Sequence, residues 1–424
     1  MNERNGRHRV VVTGLGLVTS LGIGWRETWE AAIAGRSGAG PISTFDPVNT
    51  ETTFACNVRG FDAEDYMERR VARRMDRFGH LAVAAARLAM ADADLRVADA
   101  DRPRVGALVG SGIGGLDTFV KQALIVEERG PDRVSPFFIP MVIANMAGAH
   151  ISMELGLQGP VSCTTTACAS GNHAIGEATE IIRRGQADAM LAGGAEASIT
   201  RVGIAAFNSM RALSTRNDDP AGASRPFDVG RDGFVMGEAG AILVLESLEH
   251  AVDRGAEPLC EVLGYGLTGD AHHITEPDPT GRAPAAAIAM ALRDGDVAPE
   301  RIDYVNAHAT STPVGDPNEV RVLRLALGEE HAARTAVSST KSMHGHCLGA
   351  AGGVEGALTA LAIRESIVPP TINLLDLDPE CAGVDHVANV ARPMEVRIAL
   401  STAFGFGGHN ATLLLGRLEE SSAA

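Results

Sequence analysis

Aromatic residues are scarce, at 4% of a 424-residue chain with only 2 Trp and 3 Tyr. A protein that grips single-stranded nucleic acid by stacking its bases needs more aromatic faces than this. Positive charge is also short: 37 Lys and Arg stand against 53 Asp and Glu, a formal net charge of −16. That balance disfavours nonspecific phosphate-backbone binding, so no nucleic-acid partner is expected. The six cysteines, Cys56, Cys163, Cys168, Cys260, Cys347 and Cys381, are scattered and form no C-x-x-C pair. Neither a disulfide scaffold nor a structural zinc site is expected, and a reducing, cytoplasmic compartment fits best. No apolar run reaches about 18 residues without a charge or a break. Phe137 to Ala149 comes nearest, and Pro140 and Asn145 interrupt it. The first ten residues are polar and basic. No signal peptide, membrane span or membrane partner is therefore expected.

Glycine, by contrast, is abundant at 48 residues, in a chain that is 45% hydrophobic. This composition suits close-packed α/β layers with many tight turns. The length exceeds one ordinary core and implies two fused domains or halves. Strand-like and helical patterns alternate from Arg9 to Leu245 and again from Leu259 to Leu415. The alternation predicts sheets rich in parallel pairs and covered on both faces. Two similar series also suggest an internal duplication, although no residue-level repeat stands out. The division falls between 1–257 and 258–424. An insertion at about 116–150, with Pro131, Pro136 and Pro140, reads as a cap or subunit interface. Gly14 and Gly16 follow a strand, but Thr19 stands where a dinucleotide fingerprint needs a third glycine. They read as a strand-end turn.

Four stretches carry unusual chemistry. Val161 to Gly171 reads V-S-C-T-T-T-A-C-A-S-G, and Ala174, Ile175, Ala178, Ile181 and Ile182 then recur at helical spacing. Cys168 thus lies at a strand-to-helix turn, where the helix dipole favours thiolate. Its small neighbours would admit a substrate carbonyl, while a buried structural cysteine suits the same stretch. His308, in V-N-A-H-A-T-S-T-P, ends a strand where α/β sheets open their ligand crevice. Taken alone, a hydrogen-bonded core histidine is the simpler reading there. Lys341 and His346 lie just before a glycine-laced helix. His344 and His346 have no nearby carboxylate set, so no metal is expected. In T-A-F-G-F-G-G-H-N at 402–410, Gly405, Gly407 and Gly408 expose bare N–H groups, and one of Phe404 and Phe406 reads as a hinged wall. A cysteine with two histidines is an acyl-transfer set. Separately, Arg69, Arg70, Arg73, Arg74 and Arg77 recur at three- and four-residue spacings, which predicts adjoining faces of one helix able to dock an acidic partner.

These motifs fall in a fixed order over nearly the full length: G-S-G-I-G-G at 110–115, S-P-F-F-I-P at 135–140, T-A-C-A-S-G at 166–171, R-A-L-S-T-R-N at 211–217, R-P-F-D-V-G-R-D-G-F-V at 225–235, N-A-H-A-T-S-T-P at 306–313, S-S-T-K-S-M-H-G-H at 338–346 and F-G-F-G-G-H-N at 404–410. In this the chain resembles the β-ketoacyl-acyl carrier protein synthases of the elongating type II kind, in the thiolase superfamily. The resemblance implies an α/β thiolase-like fold of two similar αβαβα halves in a five-layered core, usually homodimeric. It implies an acyltransferase that loads an acyl chain on Cys168, then joins it to malonyl-acyl carrier protein by decarboxylative Claisen condensation. His308 and His346 would promote decarboxylation and hold the enolate. Lys341 would set the electrostatics, and Glu319 would support them. The N–H groups of Cys168 and Phe406 would form the oxyanion hole, with Phe406 also the gate. Thr310 and Thr312 would bind the phosphopantetheine arm of the carrier protein, and Ile113 and Phe138 would line the acyl tunnel. Arg70, Arg73 and Arg74 would dock the carrier protein. No free cofactor is implied.

The chain departs from the family pattern at Ala239, at Ala309 in place of Gly, at His344 in place of Thr, and at Thr402-Ala403 in place of Asn-Ser. These changes keep open an alternative, a ketosynthase dedicated to a secondary-metabolite (polyketide or polyene) pathway rather than housekeeping fatty-acid synthesis. A non-catalytic chain-length partner would lack the nucleophile, and coenzyme A-dependent relatives pair Cys-His with Asn rather than a second His.

Overall fold

Small and β-branched residues supply two sets of strands, the longer of them buried along most of their length. The computed structural model describes residues 3, 4 and 6–418. The outer ends of the 1–257 and 258–424 division, and Met1, Asn2 and Asn5 of the polar N-terminus, lie outside the described residues. The first set is β1 (Val10–Thr19), β2 (Val105–Gly110), β3 (Val161–Ser162), β4 (Ala189–Glu196) and β5 (Ala239–Ser247). The second is β6 (Cys260–Gly269), β7 (Tyr304–Asn306), β8 (Ala336–Ser338), β9 (Asp385–His386), β10 (Ile398–Gly405) and β11 (His409–Gly416). In space the first set runs β1-β5-β4-β2-β3 and the second runs β6-β11-β10-β7-β8, with β9 added outside β8. Position by position the order repeats, and so does the pairing: antiparallel, antiparallel, parallel, parallel. The expected parallel-rich sheets are therefore mixed. The last strand of each set returns antiparallel, and in the second set a tight turn at 406–408 makes the connection to it. The sets join where Cys260 and Glu261 pair with Val12 and Val11.

Five layers result. Helix α1 (Arg77–Asp92) covers β1 and β5 on the outside of the first set. Helices α2 (Leu116–Arg129), α3 (Phe138–Val142) and α4 (Met146–Leu155) make up the insertion. Helix α5 (Ser170–Arg183) lies between the two sets of strands, and α6 (Arg282–Asp294) with α7 (Gly315–Leu327) covers the outside of the second. Helix α8 (Ala351–Glu365) shares the central layer with α5 and is buried from Ala351 to Ile363. A helix apolar all round belongs in such an interior layer.

The glycine pair near the N-terminus is a packing device. A Cβ on Gly16 would lie 1.8 Å from the Ala85 carbonyl of α1, and one on Gly14 2.6 Å from that of Ala89. Gly266 and Gly264 stand in the same relation to Ala287 and Ala291 of α6, at 2.0 and 2.1 Å. V-T-G-L-G-L at 12–17 and V-L-G-Y-G-L at 262–267 are thus a residue-level repeat. Two close strand–helix contacts preserve it.

The arginine run differs from the one helix expected. A four-residue helix, Arg69–Ala72, ends before α1 begins at Arg77, and Asp76 caps α1 through its side chain. Arg69, Arg70, Arg73 and Arg74 are exposed. Arg77 turns inward to a bidentate pair with buried Glu238 at 2.7 and 2.8 Å, so it belongs to the core.

Candidate active site

The two central helices meet at their N-termini with their backbones in close approach. A Cβ on Gly171 would lie 2.7 Å from Gly353 N, and one on Gly352 would lie 2.4 Å from Asn172 N. A short 3-10 turn precedes each helix, Ala167–Ala169 before α5 and Leu348–Ala350 before α8. Each turn opens on a non-glycine residue at positive φ, Ala167 at 50° and Leu348 at 49°. Such strain persists only where surrounding packing imposes it. Here it presents Cys168 at the junction. Its Sγ lies 3.0 Å from His346 Nε2.

Three further segments converge on that sulfur. The 398–405 strand runs past it, and a Cβ on Gly405 would lie 3.2 Å from Cys168 N. The absence of that side chain lets the next N–H, of Phe406, donate to the thiol. His308 follows β7, and its ring centroid is 5.4 Å from that of His346, nearly perpendicular. Phe404 and Phe234 wall the two imidazoles, at 5.9 Å from His308 and 5.2 Å from His346. Behind them lies the fully buried pair Lys341 and Glu355, Nζ to Oε1 2.5 Å.

Two cavities meet at this cluster. The inner one, of about 220 Å³, is lined by Cys168, His346, Ile113, Phe207, Phe234 and Leu348. The outer one, of about 350 Å³, is lined by His308, Thr312, Arg211, Asn318 and Phe404. Thr310 and Phe406 line both, which puts Phe406 in the wall between them.

The electrostatics follow from burial beside one ammonium. Burial pushes the Cys168 thiol up to about 12, against the opposing pull of the Lys341 charge and the Phe406 N–H. The thiolate expected from the helix dipole alone is thus not the resting state. Burial, reinforced by Lys341, holds both His308 and His346 well below the usual imidazole value, so both are neutral. The Nδ1 atoms of both rings are buried with no hydrogen-bond partner. Orphaned N–H groups are rarer in protein interiors than unfilled lone pairs, which puts each ring's proton on Nε2. His346 Nε2–H then donates to the sulfur.

Buried carboxylates hold the loops. Glu319 accepts from the backbone N–H of His308 (2.8 Å) and Ala309 (2.6 Å) and from the Thr402 hydroxyl (2.7 Å). Glu196 accepts from the N–H of Gly112 (2.6 Å), Ile113 (3.3 Å) and Gly349 (3.2 Å). It ties the loop after β2 to the turn before α8. Burial raises both carboxyls, and the N–H donors oppose it. Glu196, Glu355 and Phe234 were not singled out from sequence. A lone carboxylate in the otherwise apolar A-M-L-A-G-G-A-E, and another in the glycine–alanine helix α8, were the available signals. Nothing local marks Phe234.

Of the residues expected from sequence, Cys168, His308, His346, Thr310, Ile113 and Phe406 come together at the cavities, with Thr312 in the outer one. Phe138 does not. It lies on α3 against Phe119, ring centroids 6.0 Å apart. Cys163 is half-buried beside Thr165 and does not line the inner cavity. Among the described residues no group of three or more His, Cys, Asp or Glu is placed to hold a metal ion. Among them no helix is long and apolar enough to cross a membrane.

Comparison with known proteins gives the same assignment from both halves. Residues 7–251 match the family model for the N-terminal domain of beta-ketoacyl synthase, and residues 259–375 match that for its C-terminal domain. The chain is 51% identical to 3-oxoacyl-[acyl-carrier-protein] synthase 2 of Synechocystis over 407 residues, 96% of this chain and 97% of that one. It is 48% identical to the Staphylococcus aureus enzyme of the same name, covering 97% and 99%. Among solved structures it is similar to the ishigamide ketosynthase/chain length factor, with TM-score 0.91, 36% identity and coverage of 97% and 100%. It is also similar to a type II polyketide ketosynthase in complex with its acyl-carrier protein, with TM-score 0.90, 33% identity and coverage of 97% and 100%.

Proposed function

The chain belongs to the beta-ketoacyl synthase family and is a condensing acyltransferase of the 3-oxoacyl-[acyl-carrier-protein] synthase type, and from that premise we propose how its own residues carry the reaction. The observation that carries the proposal is the contact of Cys168 Sγ with His346 Nε2 at 3.0 Å, in a cavity that shares Thr310 and Phe406 with the one that holds His308. Cys168 attacks the acyl thioester and forms its own. Its proton leaves with the departing pantetheine sulfur. The oxyanion of the tetrahedral intermediate accepts from the N–H groups of Cys168 and Phe406. Malonyl-carrier protein then enters through the outer cavity, with Thr310 and Thr312 along the pantetheine arm. The carboxylate departs as carbon dioxide, and the enolate oxygen accepts from Nε2–H of His308 and His346. The enolate carbon attacks the Cys168 thioester, and collapse releases the 3-oxoacyl chain on the carrier protein and expels the Cys168 thiolate, which takes a proton from water to restore the thiol. Lys341 keeps the imidazoles neutral and favours negative charge as it develops, while Glu355 balances it and Glu319 fixes the His308 backbone. The two functions divide along the chain, with the nucleophile within 1–257 and both histidines within 258–424.

Supplying acyl-carrier proteins of different length and unsaturation with malonyl-carrier protein tests this, read by intact mass of the carrier product. A 3-oxo product two carbons longer is expected, and unextended carriers would contradict the proposal. The chain lengths accepted also separate fatty-acid elongation from the alternative, a dedicated polyketide or polyene ketosynthase.

Carrier protein is the natural partner for the exposed Arg70, Arg73 and Arg74 in a chain of net charge −16. The Arg74 guanidinium lies 4.5 Å over the Phe137 ring, which orders this edge of the patch. Reversing all three charges to Glu is expected to raise KM for carrier-bound substrates about tenfold and leave kcat within about twofold. An unchanged KM would remove the docking role.

A second copy of the chain is the proposed occupant of the insertion face. Phe119, Leu124, Ile139 (59% exposed) and Met153 (63% exposed) on α2–α4, Phe137 at the start of α3, and Val161 on β3 are all exposed. Strand β3 also ends the sheet, so its outer edge is open to pairing by a symmetry mate. Light scattering should give the mass of a dimer, and Ile139→Asp with Met153→Asp should give that of a monomer. A monomeric parent would refute this. A cytoplasmic setting completes the proposal.

A further inference from the structure

His344 takes no part in the chemistry just described, yet it is fully buried two residues before His346. Its Nε2 is 3.0 Å from Thr340 Oγ1, and its Nδ1 is 3.8 Å from Cys347 Sγ. Thr340 Oγ1 is also 3.2 Å from Asn306 Oδ1, and Asn306 Nδ2 donates to the Glu355 carbonyl at 3.3 Å. The proton positions follow in sequence. Asn306 uses its amide N–H on Glu355, so its oxygen faces Thr340 and needs a donor. Thr340 has one hydroxyl proton, which goes to Asn306. His344 must therefore donate Nε2–H to Thr340, and its Nδ1 lone pair faces the Cys347 thiol. Burial, with Lys341 nearby, pushes the imidazole down to about 3 and keeps it neutral, as this arrangement requires.

The chain of bonds joins the two segments that carry the histidines. Thr340 opens the short helix Lys341–His344, and the turn at Gly345 (φ 71°) delivers His346. Asn306 ends β7, two residues before His308. The imidazole also meets the Gly345 backbone and, at 3.8 Å, the Cys347 sulfur, and all four groups in the ladder are buried. We propose that His344 is a positioning residue that, through Thr340 and Asn306, sets the gap between His308 and His346 for enolate stabilisation. This rests on the assignment of those two histidines to decarboxylation. Loading of Cys168 depends on the Cys168–His346 contact and the backbone N–H groups, not on that gap. The two half-reactions therefore respond differently.

The test compares His344→Leu, which fills the site without a donor, with His344→Gln, whose amide can replace Nε2–H. Unprimed carbon dioxide release from malonyl-carrier protein and acyl loading of Cys168 from acyl-carrier protein are measured separately. His344→Leu is expected to lower kcat for decarboxylation about tenfold, with KM and the loading rate within about twofold. His344→Gln should recover most of the loss. Thr340→Val, which removes the same link without touching the imidazole, should reproduce it, and the double variant should lose no more than either single one. Equal losses in both half-reactions with no rescue by Gln, additive losses in the double variant, or no loss at all would each overturn the proposal. Unaltered decarboxylation in His308→Ala would instead strike at the histidine assignment beneath it.

Discussion

Replacing Cys168 with alanine is expected to reduce condensation by on the order of 10 000-fold, to the background of the assay, while malonyl decarboxylation persists. The substitution removes one sulfur from a cavity otherwise unchanged. His346 loses the partner it has at 3.0 Å, and the Phe406 N–H loses its acceptor, but both donors remain at the junction of the cavities. An enolate formed there would have stabilisation and no thioester to attack. Loss of the nucleophile thus separates two steps that the parent couples. The other five cysteines cannot substitute. Cys56, Cys260, Cys347 and Cys381 are buried, Cys163 is half-buried, and none lines the inner cavity. Retained condensation would show that another group accepts the acyl chain.

His308→Ala should have the opposite profile. Acyl loading on Cys168 continues, while decarboxylation falls about 100- to 1000-fold, the usual cost of one preorganised donor to a developing oxyanion. The ring is exposed to the outer cavity but is held by Glu319, through the backbone N–H at 2.8 Å, and by Phe404. Its preorganisation therefore survives in the absence of substrate. Burial and Lys341 lower the imidazole well below its usual value. A group with a lowered pKa is neutral throughout the range above that value. The parent's decarboxylation rate should accordingly show no histidine titration between about pH 6 and 8. A rate that falls tenfold per pH unit on acidification through about 6.5 would mean that the rings are not held neutral.

The site was largely legible because its chemistry sits at element ends. Cys168, His308 and the 404–410 segment each follow a strand or precede a helix, and their residue types are unusual for such positions. Glycine patterns were read less well. Gly14 and Gly16 looked like a turn, since spacing cannot show that a helix carbonyl lies where a Cβ would be. The repeat at Gly264 and Gly266 went unseen for the same reason. The arginine run was read as one helix because spacing ignores Asp76, whose capping side chain starts a new one. Sheet polarity was misjudged because a buried antiparallel strand carries the same continuous apolar run as a parallel one. Phe138 was assigned to the tunnel by resemblance, and within this chain it packs against Phe119. Glu196 and Glu355 were overlooked as lone charges in apolar elements, although burying a carboxylate is costly enough that it usually marks a fixed partner. The strain at Ala167 and Leu348 is a tertiary property that no local pattern reports.

The central claim is that the acyl chain resides on Cys168 before carbon–carbon bond formation. The direct measurement is to mix the protein with acyl-carrier protein, quench in acid, and map the peptides by mass. One acyl group on the peptide containing Cys168, discharged when malonyl-carrier protein is added and absent in Cys168→Ala, is the result expected. An acyl group on another residue, or a 3-oxoacyl product formed while Cys168 stays unmodified at every time point, would contradict it.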